Sequence, residues 1–249
     1  MFTGAPLLSL VSASRLVDMV FLATPNEDRE AAEKAALFSR LRSVVWVPRG
    51  DIEKYIEKSD AVLIGPGMMR YEKEQTGPVL DVAGTETRML TQYLLSKYPD
   101  KKWVIDGGSL QVMETKWIPK GGVITPNIKE FNMLFGVEQD QVTAEVVADK
   151  AREFSCIIDY KSPKSIVSDG ETTYEIEGGN AGLTKGGTGD VLAGVTVGLL
   201  AKNDPLLAAA ASAWLVKKTA DTLYGKVGYN YNADDVAESV FEVLKAVAS

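Results

Sequence analysis

The sequence predicts an α/β fold in which a doubly wound, mostly parallel sheet is flanked by helices. Three observations predict it. Short apolar runs alternate with longer stretches of helical spacing, and most runs end at Gly, Pro, Asp or another polar residue. A glycine cluster ending in an acid then opens a largely helical C-terminal part. Such alternation gives parallel β-α-β units with right-handed crossovers, whose strands are apolar throughout because helices cover both sheet faces.

In chain order, strands are expected over 17–23, 43–47, 61–64, 102–105, 122–125 and 156–160, and helices over 27–41, 51–58, 85–97, 128–135 and 143–154. A hairpin is expected from 165–168 and 172–176 around Asp169-Gly170, and helix from Gly187 onward. No linker, repeat or low-complexity stretch divides the chain, so residues 1–249 are read as a single domain.

Composition narrows the function classes. The chain has 249 residues, a net charge of -7 and no basic run, which argues against nucleic acid or an anionic membrane as its partner. The apolar stretch at 1–23 is interrupted by Arg15 and Asp18 and reads as neither signal peptide nor membrane span. One cysteine, Cys156, cannot form an internal disulfide, so a reducing cytoplasm is expected and the thiol reads as a core residue. With no histidine at all, serine–histidine triads and histidine bases are excluded, and acid–base work falls to Asp, Glu, Lys or Tyr.

The segment from Gly179 to Asp190, GGNAGLTKGGTGD read from Gly178, carries the clearest chemistry. Glycines that open a helix leave backbone N–H groups free at the positive end of its dipole, where a phosphoryl group is well held, and Asp190 stands there as a base. Its plainer reading is a tight turn with a first-turn acid. In doubly wound folds ligands lie beyond the C-terminal ends of strands. That draws attention to Gly65-Pro66-Gly67, Asp106, Asn127, Glu130 and Lys161, each just after an expected strand. Asp106 reads equally as an N-cap, Lys161 as an exposed strand-end lysine. Asn127 and Glu130 lie one turn apart: they fit a capping box and, together, an oxygen pair around hydrated Mg²⁺.

The Gly-Thr-Gly-Asp loop resembles that of the ribokinase-like superfamily, and the longer string GGTGDVLAG resembles its NAD(P)H-hydrate dehydratase branch. Thr3-Gly4-Ala5-Pro6, Gly65-Pro66-Gly67 and Asn180-Ala181-Gly182 are similar to further motifs of that family. The resemblance implies nucleotide-dependent dehydration of NAD(P)H hydrate, with Asp190 as base, Mg²⁺ as cofactor and ATP or ADP as phosphoryl donor. It implies Ala5, Gly67, Asn127 and Asp190 at the substrate, and Lys161, Asn180, Gly187, Thr188 and Gly189 at the nucleotide. Glu130, through water, and Asn127 would face the metal, and a homo-oligomer is implied.

Four departures accompany it. Asn127 replaces the family's usual His, Gly108 a second acid after Asp106, and Ser162 a glycine after Lys161. The chain also begins two residues before its Thr-Gly-Ala-Pro motif, so the family's first N-terminal strand is expected to be missing. Thr-Pro-Asn-x-x-Glu is common in vitamin kinases of the superfamily, which leaves a small-molecule kinase as the alternative; a non-catalytic nucleotide-binding relative is the third reading.

Overall fold

A computed structural model describes residues 4–23, 44–71 and 81–248. The helix expected over 27–41 lies outside the described residues. Among the described residues eight strands are found: β1 (Val20–Ala23), β2 (Val44–Val47), β3 (Ala61–Ile64), β4 (Lys102–Ile105), β5 (Val123–Ile124), β6 (Ile157–Tyr160), β7 (Ser165–Ser168) and β8 (Thr173–Ile176). The helices are α1 (Gly4–Ala13), α2 (Ile52–Lys58), α3 (Val82–Lys97), α4 (Gly107–Val112), α5 (Ile128–Phe135), α6 (Ala144–Phe154), α7 (Thr188–Leu200), α8 (Pro205–Val227) and α9 (Ala233–Ala248).

A six-stranded sheet runs in the order β3-β4-β5-β6-β7-β8. Its first four strands are parallel, and β7 and β8 return antiparallel as the hairpin expected around Asp169-Gly170. Side chains alternate along these strands between two cores. Val104, Val123 and Ile157 point into one, closed by α7, α8 and α9. Trp103, Ile105, Ile124 and Ile158 point into the other, closed by residues of α2 to α6. The mostly parallel, doubly wound sheet is therefore as the alternation implied.

Strands β1 and β2 pair in parallel but form a sheet of their own. Between β1 and β3 lies a cavity of about 500 Å³ lined by every residue of both strands. Among the described residues no helix is long and apolar enough to cross a membrane.

Helix α1 is fixed against α7 by a close crossing at Gly194. A Cβ there would stand 2.4 Å from Ser9 O and 2.6 Å from Ser9 Cα, so only glycine lets the two backbones approach. This contact sets α1 beside the start of α7, where Ser9 Oγ donates to Asp190 O at 2.8 Å.

Gly194→Ala tests the crossing. Alanine is ordinarily the better helix residue by about 1 kcal/mol. Overpacking against a backbone carbonyl should reverse that sign and destabilise the protein by about 1–3 kcal/mol in urea unfolding. A variant as stable as the parent would show that the helices do not meet this closely.

Candidate nucleotide and phosphoryl-transfer site

Three strand ends and one helix start converge on the candidate site. β4 delivers Asp106, β5 delivers Thr125 to Asn127, β6 delivers Lys161, and α7 begins at Thr188 with Asp190 in its first turn. The chain joins the strand ends beyond the sheet: Lys161 N donates to Pro126 O at 2.9 Å, and Asn127 and Lys161 form an isolated parallel bridge.

The centre is an ion pair. Lys161 Nζ lies 2.6 Å from Asp106 Oδ1, which also accepts from Thr125 Oγ1 at 2.8 Å. Asp106 is buried and sits at the N-cap position of α4, yet its side chain makes no capping bond. Its carboxylate instead faces the site. Burial works against the charge of Lys161, but Asp106 and Glu130 outweigh it and hold the ammonium above the usual lysine range. The same ammonium stands beside α7, since a Cβ on Gly189 would be 3.4 Å from Lys161 Nζ.

The loop before α7 has the conformation that its glycines suggest. Gly187 takes φ 95°, a left-handed value that favours glycine, and a Cβ there would meet Leu8 of α1 at 2.5 Å. The amides of Gly189 and Asp190 donate to no group among the described residues. They are the orphan donors of a helix N-terminus, and an anion is their natural acceptor. Burial, followed by the charge of Asp106, pushes the Asp190 carboxyl up to about 6; Lys161 opposes this and Glu130 adds to it.

Asn127 and Glu130 form a complete capping box on α5. Asn127 Oδ1 accepts from Lys129 N and Glu130 N, while Glu130 Oε2 accepts from Asn127 N at 2.9 Å. Gln111 Nε2 donates to the remaining oxygen, Glu130 Oε1, at 2.9 Å. Every carboxylate or amide oxygen of the pair already has a protein donor. Among the described residues no group of three or more Cys, Asp or Glu forms a metal cluster.

Gly65 and Gly108 are placed by close packing. A Cβ on Gly65 would collide with Asp106 O at 1.7 Å, and one on Gly108 with Met68 O at 2.2 Å. Position 108 thus has no room for the second acid, and the glycine there follows from the seating of the 65–68 turn on α4. Gly67 lies in that turn with φ 72°. Ala5 lies one helical turn from Ser9, the residue bonded to Asp190 O. Asn180 caps a short 3-10 helix over Ala181–Thr184 and accepts from Tyr231 Oη at 2.6 Å. Cys156 is buried, and burial pushes its thiol up to about 12, as suits an inert core residue.

Sequence reasoning missed Asp159, Lys217 and Asp221. Asp159 is fully buried in β6 and neither of its carboxylate oxygens has a hydrogen-bond partner among the described residues. Burial pushes its carboxyl up to about 7, opposed by Lys161 and Lys217 and reinforced by Asp106. The available signal was a carboxylate inside an otherwise apolar strand, Ile157-Ile158-Asp159-Tyr160.

With this geometry in place, comparison with known proteins is informative. The family model described as NAD(P)H-hydrate dehydratase matches residues 1–241. An ADP-dependent (S)-NAD(P)H-hydrate dehydratase of Nitrosopumilus maritimus is 30% identical, over 98% of this chain and 85% of that protein. A bifunctional NAD(P)H-hydrate repair enzyme Nnr of Hyperthermus butylicus is also 30% identical, over 98% of this chain but only 46% of the relative, so the chain spans about half its length. Among solved structures, an ADP/ATP-dependent NAD(P)H-hydrate dehydratase of Bacillus subtilis co-crystallized with ATP/Mg2+ superposes with a TM-score of 0.77 at 21% identity, covering 98% of this chain and 85% of the other. That likeness establishes the fold.

Asp159 provides a test of the buried charges. Its folded pKa is raised above the unfolded value, so stability is greatest below about pH 4 for this group and falls as pH rises towards about 7. Asp159→Asn should remove that fall. The variant is expected to exceed the parent by about 1–3 kcal/mol at pH 8 and to match it at low pH. Parallel urea titrations with the same pH slope in both proteins would contradict the assignment.

Proposed function

The chain belongs to the NAD(P)H-hydrate dehydratase family, and from that premise we propose that it restores NAD(P)H from its hydrate in a nucleotide-dependent dehydration. The observation that carries the reading is the meeting of three groups at one helix start: amides of Gly189 and Asp190 that have no acceptor among the described residues, the Lys161 ammonium beside them, and a half-buried carboxylate at Asp190. An amide cradle with a cation suits a phosphoryl group, and the carboxylate suits a proton acceptor.

In the proposed reaction, ATP or ADP lies with its terminal phosphate at Gly187, Thr188 and Gly189, with Lys161 and Asn180 on the nucleotide side. The hydrated nicotinamide lies towards Ala5, Gly67 and Asn127. Asp190 takes the proton of the ring hydroxyl as that oxygen attacks phosphorus and the bond to the leaving nucleotide breaks. The ring nitrogen lone pair then expels phosphate from the adjacent carbon, and loss of a proton from the neighbouring carbon restores the dihydropyridine. The amides and Lys161 stabilise the charge that develops on the phosphoryl oxygens.

Mg²⁺ would supply charge neutralisation between the phosphates and is ordinarily held by them and by retained water. The oxygen donors of Glu130 and Asn127 fit contact through water, since their protein hydrogen bonds already occupy them. On the same reading residues 1–249 act as one domain, in the cytoplasm and as a homo-oligomer.

Two measurements test the role of Asp190. Turnover per bound substrate, read by recovery of reduced-nicotinamide absorbance with ATP or ADP, should fall as pH is lowered through about 6, because the protonated carboxyl cannot accept the hydroxyl proton. Asp190→Asn should lower the rate about 10²–10⁴-fold and remove that acid limb. Wild-type turnover in the variant would assign the base elsewhere.

A further inference from the structure

We infer that Lys217 is a positioning residue for the nucleotide side of this site, its ammonium acting as a built-in cation that ties together the loops carrying Lys161 and Asn180. The inference rests on the nucleotide reading above and concerns a residue distant in sequence from every motif that led to it.

Lys217 lies in α8 and is only 6% exposed. Its Nζ donates to three backbone carbonyls: Ser162 O at 3.2 Å, Pro163 O at 2.6 Å and Gly178 O at 3.1 Å. An ammonium has three N–H donors, so all are used and none goes to a carboxylate. Ser162 and Pro163 follow Lys161 directly. Gly178 leads through Gly179 to Asn180 and on to the Gly187 turn.

Neighbouring positions of α8 complete the clamp. Asp221, one turn beyond Lys217, accepts from Gly179 N at 3.0 Å, and Ala220 O accepts from Asn180 Nδ2 at 3.0 Å. The stem of Lys217 fills the space beside Gly179, where a Cβ would meet Lys217 Cγ at 3.0 Å. Burial disfavours the charged amine, and the carboxylates of Asp159 and Asp221 act against that. An apolar side chain of the same length would leave three carbonyls from two loops turned towards one another with no donor between them. Carbonyls gathered around a single charge are also how a dehydrated monovalent cation is held, so a free cation should replace the amine once the side chain is cut back.

The experiment measures binding of ATP or ADP by calorimetry, with turnover as a second readout. Lys217→Met keeps the stem and removes the charge; Lys217→Ala also opens space for an ion. Both variants should bind nucleotide about tenfold more weakly or worse, with KM for nucleotide rising more than kcat falls. Added ammonium chloride should restore binding to Lys217→Ala but not to Lys217→Met, whereas tetramethylammonium chloride at equal ionic strength should restore neither. Parent-like binding in both variants would overturn the inference, as would loss that ammonium cannot repair or unfolding of both, either of which makes Lys217 a stability residue only. If the parent binds neither ATP nor ADP, the nucleotide reading itself fails and this inference falls with it.

Discussion

The ion pair between Lys161 and Asp106 is the constraint on which the strand ends depend. Asp106, Glu130 and Asp190 converge there from three different elements, and Lys161 is the cation among them, bonded to one carboxylate at 2.6 Å. One ammonium cannot neutralise three acids. Glu130 is held by hydrogen bonds from Gln111 and the Asn127 amide, which leaves Asp190, among the described residues, as the acid without a cation of its own. A carboxyl in that position shifts towards neutral pH because its burial and its acidic neighbours both disfavour the charge. The pairing of Asp106 thus suits the proton-accepting role proposed for Asp190.

Close backbone approach does the rest of the positioning. Gly194 lets α1 lie on α7, Gly187 admits Leu8 of α1 beneath the loop, and Gly65 and Gly108 seat the turn after β3 on α4. In each case a side chain would meet a carbonyl or a neighbouring residue. The site is therefore built on packed elements, with the loops confined to linking them, and small errors in packing would move the reacting groups apart.

Local features were legible in the sequence. The strands at 61–64 and 102–105 and the helix at 128–135 have the expected bounds, because an apolar run closed by Gly, Asp or Asn leaves little choice of endpoint. The helix expected from 85 begins instead at Val82, where Asp81 accepts from Gly84 N as its cap. The strand expected over 122–125 shortens to Val123–Ile124, since Gly122 and Thr125 fall outside the ladder. Most of the strand-end site was equally legible, for the same topological reason. Lys217 and Asp159 were not, because their roles depend on carbonyls and charges far away in sequence. Gly108, legible only as a missing acid, proves to be a packing requirement set by Met68.

The contrast between Asn127 and the family's usual histidine takes on a different weight in this light. By sequence, Thr-Pro-Asn-x-x-Glu points towards a kinase, because it treats Asn127 and Glu130 as residues chosen for metal or substrate. In the fold both side chains cap α5: Asn127 satisfies two first-turn amides, and Glu130 returns a bond to the Asn127 amide. Asparagine is among the best N-cap residues, and glutamate at the third helical position completes the reciprocal box. A motif that helix capping alone explains discriminates weakly between two chemistries that share the same phosphate loop. On the proposed reading, the distinction between a kinase and a dehydratase then moves to the acceptor side of Asp190, towards Ala5 and Gly67, where a phosphorylated product would either depart or eliminate.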